Sequence, residues 1–391
     1  MNANNEKIFT KSFFLIFTAL LFTALVMYAL MSTVTEYATA MGSSATVAGL
    51  VSGIYIFGGL LSRIYSGNAL GKHSWKKIAL IFMSIHFISC FLYFFVNDVG
   101  MLIIVRFIHG IGFGASANAI VTIASEILPK SRFGEAFGYF MLGTTIAVGL
   151  GPYIGAFLYD NFSASGCFIA AMLFSAIALM AMFLIDTDNF DTKTAGEIDE
   201  SKSYSLFEKI FEIKAIPVSF FTALTALGYV SILSFYRLYA AEVNLVDAFS
   251  YFFIIYSICL VASRPIAGKI QDKYGDMIIC VVGILAQSIG IFLIAWAPSY
   301  ITVFICAVCV ALGFGTLNSA CTTIVTRNSP LSRRSYALST FFIFCDATMG
   351  FGPALLGSFV SPATGYTMMY YVASVITFLA LPIALFSLRK N

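Results

Sequence analysis

The chain has 391 residues, of which 60% are hydrophobic and only 10% are charged. Soluble domains use roughly 45–50% apolar and 25% charged residues, so this composition excludes a soluble enzyme and a disordered chain. The formal net charge of +3 is too small to indicate a nucleic-acid partner. The eight cysteines are scattered through apolar runs without metal-binding spacing, and we expect them to be small core residues, with no metal site.

Apolar segments recur along the chain between short polar breaks. A helix needs about 20 mainly apolar residues to cross the bilayer core. Twelve segments meet this criterion, with predicted limits 12–35, 46–66, 77–96, 100–127, 133–159, 164–186, 214–240, 246–271, 277–296, 300–326, 335–360 and 365–388. We therefore predict an all-α integral membrane protein with twelve transmembrane helices, numbered in chain order.

The basic residues predict the orientation of these helices. If the amino terminus is cytoplasmic, twenty of the 22 Lys and Arg residues lie on the cytoplasmic side. The remaining two, Arg106 and Arg237, lie within or at the end of predicted helices. This asymmetry is the positive-inside pattern, so we expect both termini in the cytoplasm and the protein in the cytoplasmic membrane.

Residues 187–213 interrupt the apolar pattern with acidic residues interleaved with lysines. A solvated cytoplasmic linker explains this composition. We therefore predict an N-terminal six-helix bundle over 1–186, a linker over 187–213 and a C-terminal six-helix bundle over 214–391.

The two predicted bundles repeat each other at a fixed offset of 201 residues. Without a gap, the shift superimposes Ser62–Arg63 on Ser263–Arg264 and Gly112–Phe113–Gly114 on Gly313–Phe314–Gly315. From Tyr28 to Pro152, 27 of 125 positions are identical. Both copies begin on the same side of the membrane, so the repeats are parallel, and rocking of two such bundles alternates access to a site near the midplane.

Short motifs lie at matching places in the two copies. The segment after helix 2 reads Gly67-x-x-x-Gly71-Lys72, and the segment after helix 8 reads Gly268-x-x-x-Asp272-Lys273-x-Gly275. Helix 4 carries Arg106-x-x-x-Gly110-x-Gly112-x-Gly114, and helix 5 carries Gly138 with Gly151-Pro152-x-x-Gly155. Together with the repeat, these motifs resemble the major facilitator superfamily over nearly the whole chain. The helix 5 motif is similar to the one associated with antiporters and drug exporters.

The resemblance implies a conformational switch at the motif residues, namely Arg63, Gly67, Lys72, Gly151, Pro152, Arg264, Gly268, Asp272, Lys273, Gly275, Gly352 and Pro353. We expect the Asp272 carboxylate to bind the positive N-terminal end of a neighbouring helix, such as helix 5, while the cytoplasmic side is closed. A solvated loop charge is the alternative for this residue. Ordinary Gly/Pro helix packing is the alternative for Pro152 and its equivalent Pro353.

Ionisable residues within spans are functional candidates by default. Asp346 in helix 11 could carry a proton, contact a cationic substrate or pair with Arg106, and a structural hydrogen bond is the alternative. Arg106 in helix 4 could instead snorkel to the outer surface. His109, one turn further into helix 4, could relay protons or be a packed polar group. His86 in helix 3 is assigned to packing, since the resemblance implies that helices 3, 6, 9 and 12 lie outside the cavity.

The repeat also pairs residues of possible functional importance. Glu36 and Arg237 are equivalent under the offset and could form an outer gate, or be two rim charges that never meet. Four tyrosines pair in the same way and could line an aromatic pocket or an interfacial belt, namely Tyr28 with Tyr229 and Tyr55 with Tyr256. Asn118 and Asn318 could hydrogen-bond the substrate or link helices.

These observations predict a monomeric secondary active transporter that moves a small organic solute, with efflux by proton antiport as the leading hypothesis. We expect no cofactor, because the chain has no phosphate-binding loop and a proton gradient is the expected energy source. Import of a sugar, amino acid or carboxylate by symport or uniport is the first alternative. A transporter-like receptor or a membrane enzyme is more remote, since no nucleophile, base or metal set lies in the spans.

Overall fold

The structure is a computed structural model, and it describes residues 7–69, 74–186, 211–329 and 334–389. These residues are almost entirely helical, and within them no strand is formed beyond an isolated bridge between Ser361 and Gly365. Eleven helical segments are long and apolar enough to cross a membrane, and the segment Glu135–Phe183 is 49 residues long. At 1.5 Å per residue that segment is about twice as long as a bilayer core is thick. The predicted all-α membrane fold is confirmed.

The first four helices are α1 (Lys11–Ala40), α2 (Ala45–Ala69), α3 (Trp75–Leu92) and α4 (Val99–Ile127). A 3-10 turn over Tyr93–Phe95 follows α3. Side chains accept backbone N–H groups at two helix starts, Thr10 at α1 and Asp98 at α4. Such caps satisfy donors that have no partner within the helix, so the sequence itself marks where these helices begin.

The segment Phe133–Phe183 is helical apart from a break at Ser163, whose φ is 57° and ψ is −168°. We call the parts before and after the break α5 (133–162) and α6 (164–183). The chain reverses there, because the Cys167 thiol donates to the Gly155 carbonyl at 3.4 Å although twelve residues separate them. The predicted spans 133–159 and 164–186 are therefore both present. The loop expected between them, over residues 160–163, is reduced to the single residue Ser163.

The later helices are α7 (Ile216–Glu242), α8 (Val246–Tyr274), α9 (Asp276–Trp296), α10 (Tyr300–Arg327), α11 (Arg334–Gly357) and α12 (Thr367–Leu388). Gly275, at a φ of 85°, allows the abrupt change of direction between α8 and α9. A π-helical segment over Ala311–Gly315 interrupts α10, with a non-helical ψ at Gly313. The described helices match the twelve predicted spans with shifts of a few residues at their ends.

The chain divides by internal contacts into two compact units. Unit 1 comprises residues 1–41 and 54–196, and unit 2 comprises 42–53 and 197–391. The predicted bundles differ from these units at the start of α2, because Gly49 and Gly53 there meet the backbone of Pro353 and Gly350 on α11. Most of the predicted linker lies outside the described residues.

Within unit 1, α1 and α3 both pack on the 133–183 segment, and α3 packs along α4. Within unit 2, α7 packs on α11 and α12, and α9 packs on α12 and α10. Apolar side chains fill the core of each unit, with Phe140 and Ile120 buried in the first and Phe221 and Phe341 in the second.

Candidate functional site

A buried polar cluster lies between α2, α3 and α4 of unit 1, and Arg106 is its only formally charged side chain at neutral pH. Arg106 is fully buried, and its guanidinium lies 4.3 Å from the centre of the Tyr55 ring. A cation held over an aromatic face in a desolvated site is stabilised by about 2 kcal/mol. Arg106 therefore does not snorkel to the surface. The other members of the cluster are His86, Cys90, Tyr93 and His109.

Hydrogen bonds in the cluster run in one direction. An Arg106 guanidinium nitrogen lies 3.4 Å from the Tyr93 hydroxyl, and guanidinium groups only donate. The Tyr93 hydroxyl accepts that bond and can direct its own proton to His109 Nδ1, 2.9 Å away. His109 Nδ1 then carries no proton, so the neutral ring holds its proton on Nε2, which lies 3.5 Å from the Cys90 sulfur.

His86 is the second imidazole of the cluster. Its ring centre lies 4.3 Å from that of His109, and the side chain is 1% exposed. Within the described part of the chain, neither ring nitrogen of His86 makes a hydrogen bond of normal geometry. Leaving a buried polar group unsatisfied costs about 1–3 kcal/mol, so His86 is a polar group that packing alone does not explain.

Glycines of the helix 4 motif bring the helices of the cluster together. A Cβ atom on Gly110 would lie 1.9 Å from the Tyr55 carbonyl oxygen, and one on Gly112 would lie 2.6 Å from the His86 backbone nitrogen. Only glycine allows α4 to approach α2 and α3 this closely. The motif thus places Arg106 and His109 against Tyr55 and His86 through backbone contact.

The sequence did not indicate Tyr93 and Cys90, and it assigned His86 to packing away from the cavity. The missed signal was spacing, since His86 and Cys90 are four residues apart and so lie on one face of α3. Tyr93 could not have been assigned, because its contact with His109 depends on the 3-10 turn after α3.

The other predicted substrate residues are distributed over both units. In unit 2, Tyr229 stacks on Phe314 at 4.7 Å and on Tyr256 at 5.7 Å, and both tyrosines are buried. In unit 1, Tyr28 is half-buried, and its Cβ lies where a Cβ on Gly151 would approach to 2.6 Å. Of the two predicted tyrosines in unit 1, Tyr55 contacts Arg106 and His109.

Three further polar candidates lie in α4, α10 and α11. The Asn118 amide donates to the Arg63 carbonyl at 3.3 Å and to the Ser66 hydroxyl at 3.2 Å, so it links α4 to α2. Asn318 and Asp346 are half-buried within their helices. For Asn118, these contacts favour the helix-linking alternative.

The predicted gate residues fall in different units. Glu36 is half-buried near the end of α1, and Arg237 is 9% exposed in α7. Their pairing stays a prediction.

The structure describes some of the predicted switch residues and not others. Arg63 lies 5.8 Å over the Phe113 ring, Lys273 lies 4.9 Å over the Tyr274 ring, and Gly268 has open space beside it. Lys72 and the side chains of Arg264 and Asp272 lie outside the described residues, and Gly67 lies in α2.

An ion pair that the sequence did not predict joins the start of α9 to the end of α10 in unit 2. Asp276, the first residue of α9, contacts Arg327 at the end of α10, and the Gln271 amide donates to Asp276 at 2.8 Å. Under the 201-residue offset Asp276 corresponds to Trp75, and Lys76 and Lys77 correspond to Met277 and Ile278, so the two copies differ in charge at this place.

Pro152 and Pro353 are both buried inside their helices. Gly352 faces Leu227, and the Pro353 carbonyl lies 2.2 Å from where a Cβ on Gly49 would be. Among the residues that the structure describes, no group of three His, Cys, Asp or Glu side chains could hold a metal ion.

Comparison with known proteins gives the same family throughout. The family model of the Major Facilitator Superfamily matches residues 16–254 and 222–391. The chain is 24% identical to an uncharacterized MFS-type transporter, MJ1560 of Methanocaldococcus jannaschii, over 87% of this chain and 88% of that one. It is 24% identical to the multi-drug resistance efflux pump PmrA of Streptococcus pneumoniae, over 72% and 71% respectively. The solved structure of the nucleoside transporter NupG has the same fold, with a TM-score of 0.77, 14% identity and coverage of 98% of this chain and 100% of that one.

Proposed function

The chain belongs to the major facilitator superfamily of transporters, and from that premise we propose that it exports a small organic solute in exchange for protons. The transporter is not an enzyme. Solute and proton movement are coupled by the buried cluster around Arg106, and the cytoplasmic membrane with both termini inside is the proposed location. The proton gradient supplies the energy, without a cofactor.

The proposal rests on a titratable group, His109, that is buried near a fixed cation, Arg106. Tyr93 links Arg106 to His109 through one hydroxyl, so a proton on His109 would place a second positive charge next to the first. Like charges at this distance disfavour one another. A protonated His109 therefore favours a state in which Arg106 and His109 lie further apart, and this pair of states is the two-state element that antiport needs.

Similarity supports export rather than import. One relative is a multi-drug resistance efflux pump, and the helix 5 motif of this chain is similar to that of exporters. The nucleoside transporter structure is 14% identical and supports the fold only. Import by symport or uniport remains the alternative that the experiment must separate.

Transport in everted membrane vesicles tests the proposal. With a pH-sensitive dye inside acidified vesicles, adding ethidium or tetracycline should release protons in proportion to solute uptake. Arg106→Gln should lower this signal by about tenfold or more, since a loss of roughly 1.4 kcal/mol in the coupled step is a factor of ten. The matched control is Arg389→Gln, because Arg389 is exposed at the end of α12.

Two outcomes would contradict export by antiport. Gradient-driven accumulation of the probes in whole cells would indicate symport. Solute movement without a proton signal in wild-type vesicles would indicate a uniporter. Equal coupling in the Arg106→Gln and Arg389→Gln variants would remove Arg106 from the mechanism.

A further inference from the structure

A crevice of about 330 Å³ opens at one end of unit 1, beside the polar cluster. Its walls come from the end of α1, the 3-10 turn after α3 and the α5–α6 reversal, with Tyr37, Tyr93, Ser163 and Phe168 among the lining residues. This end is opposite the one at which Lys11 begins α1, so the predicted topology places it on the outer face.

Tyr93 is shared between the crevice and the cluster. Its ring stacks on Phe168 at 4.9 Å with nearly parallel planes, and this pair lines the crevice. Its hydroxyl, at the far end of the same side chain, lies 2.9 Å from His109 Nδ1. Tyr93 is 1% exposed, so the stacked rings seal the cluster from the crevice while one hydroxyl joins them.

The backbone of the crevice wall is strained at one residue. Ser163 lies in the left-handed region at a φ of 57°, where a residue with a side chain costs about 1–2 kcal/mol. Ser163 and its neighbour Ser165 are exposed, so the wall offers hydroxyl groups to water in front of the aromatic seal.

We propose that this crevice is the outer proton entrance of the transporter and that Tyr93 passes protons from it to His109. The proposal rests on the proposed antiport. It assigns unit 1 a proton route that runs inside a single unit, between α3 and α4.

The step balances within the groups described. When the Tyr93 and Phe168 rings separate, water from the crevice reaches the Tyr93 hydroxyl. A hydronium ion then gives a proton to the Tyr93 oxygen and leaves as water, while the hydroxyl proton of Tyr93 moves to His109 Nδ1. Tyr93 is unchanged, and neutral His109 becomes an imidazolium with protons on both nitrogens. In exchange for the exported solute, the imidazolium then releases its proton towards the cytoplasm, and His109 returns to its neutral form.

The groups that face His109 set how it holds this proton. Tyr55 faces it from α2, and the Arg106 cation lies on its own helix. The 3-10 turn contributes Tyr93, and α3 contributes the remaining two groups, His86 and Cys90. No carboxylate of the described residues is among these contacts. His86, whose ring nitrogens make no hydrogen bond of normal geometry among the described residues, is the next group placed to accept a proton from His109 after a ring rotation.

Histidine-selective nuclear magnetic resonance tests the relay directly. The chain has three histidines, so the full-length protein in lipid nanodiscs, labelled with ¹⁵N-histidine, gives few signals, which His73→Asn and His86→Gln variants assign. We expect neutral His109 to carry its proton on Nε2. Tyr93→Phe should slow proton exchange between His109 and water by about a hundredfold, the usual effect of losing a positioned proton carrier.

The matched control is Tyr139→Phe, because Tyr139 is 40% exposed in α5 of the same unit. This variant should exchange at the wild-type rate. Tyr93→Phe retains the ring on Phe168, and its elution as a single species on size exclusion checks that it folds. Equal exchange in wild type and Tyr93→Phe, or an Nδ1-protonated His109, would overturn the proposal.

Side-specific labelling tests which face the crevice opens on. Ser165→Cys in intact cells should react with a membrane-impermeant maleimide, whereas the wild type, whose described cysteines are buried or half-buried, should not. Labelling only after the membrane is made permeable would place the crevice on the cytoplasmic side and overturn an outer entrance.

These results are separable from those of the transport assay. A Tyr93-dependent exchange without proton-coupled efflux would retain the relay and reject antiport. Proton-coupled efflux that Tyr93→Phe leaves unchanged would retain antiport and reject the relay.

Discussion

The two copies of the repeat share one packing scaffold but differ in chemistry. Gly112 on α4 approaches His86 on α3, and at the equivalent positions Gly313 on α10 approaches the Gln287 side chain on α9. The ring centres of Tyr55 and Phe113 lie 5.3 Å apart in unit 1, and the equivalent residues, Tyr256 and Phe314, are both buried beside Tyr229 in unit 2.

Most polar groups of the unit 1 cluster have apolar equivalents in unit 2. Under the 201-residue offset, Arg106 and His109 correspond to Ala307 and Val310, Cys90 to Ile291, and Tyr93 to Ile294. His86 corresponds to Gln287, whose amide donates to the Thr225 carbonyl at 2.8 Å. Duplication therefore retained the helix contacts, and the buried cation and imidazoles occur at these positions in one unit only.

The difference separates what the fold requires from what the proposed function requires. A contact found in both copies stabilises a six-helix unit, since each unit must pack its helices closely. A buried cation found in one copy carries a desolvation cost that the other copy avoids. Three sets of substitutions test this distinction.

The largest effect is expected at Gly110, where the copies differ by one methyl group. Gly110→Ala places a Cβ 1.9 Å from the Tyr55 carbonyl oxygen, so we expect a loss of about 3 kcal/mol in stability. The equivalent position already holds Ala311, and Ala311→Gly should cost only about 1 kcal/mol. Thermal unfolding in detergent, followed by size exclusion, measures both. Equal losses would mean that α4 and α10 pack alike.

Smaller effects on stability are expected at the two imidazoles, and the two substitutions should act in opposite directions. His86→Phe removes two nitrogens that make no normal hydrogen bond and should stabilise the protein by about 1 kcal/mol, while lowering proton coupling. His109→Phe leaves Tyr93 and Cys90 without their shared partner and should destabilise it by a similar amount. The same unfolding measurement applies. A loss of stability in both variants would make His86 an ordinary packing residue.

The smallest effect concerns a tyrosine outside the spans of unit 2. Burial, and then the negative charge of Glu242, raise the pKa of Tyr366, whose backbone N–H donates to Glu242 at 2.8 Å. The fold therefore favours the neutral phenol, and this contribution is present below the ordinary pKa of about 10 and lost as the pH rises through the raised value. The melting temperature should fall as the pH rises from about 10 towards the raised pKa of Tyr366, and it should fall less steeply in Tyr366→Phe. Parallel curves would show that Tyr366 does not contribute.

The length and number of apolar segments and the internal repeat predicted the fold, because bilayer thickness constrains a membrane chain strongly. The predicted helix limits followed from apolar runs between short polar breaks, and the structure shows that Asp98 caps the start of α4. The sequence predicted a break between 159 and 164, but it did not predict that the helix continues to residue 162 and leaves a one-residue reversal at Ser163.

The candidate site was only half predictable. Arg106 and His109 were identifiable as ionisable residues in a span, and Tyr55 through the repeat. Their grouping with His86 and Tyr93 depends on which faces of α3 and α4 meet, and that is decided by the backbone approach at Gly112. A single sequence shows that a glycine is present, but it does not show which neighbour the glycine admits.

The reversal between α5 and α6 also limits how those helices can move. A connection of one residue, with Cys167 bonded back to Gly155, leaves no slack for either helix to slide past the other. We therefore expect α5 and α6 to move together as a rigid pair in any transport cycle. A residue inserted at this turn would displace both helices.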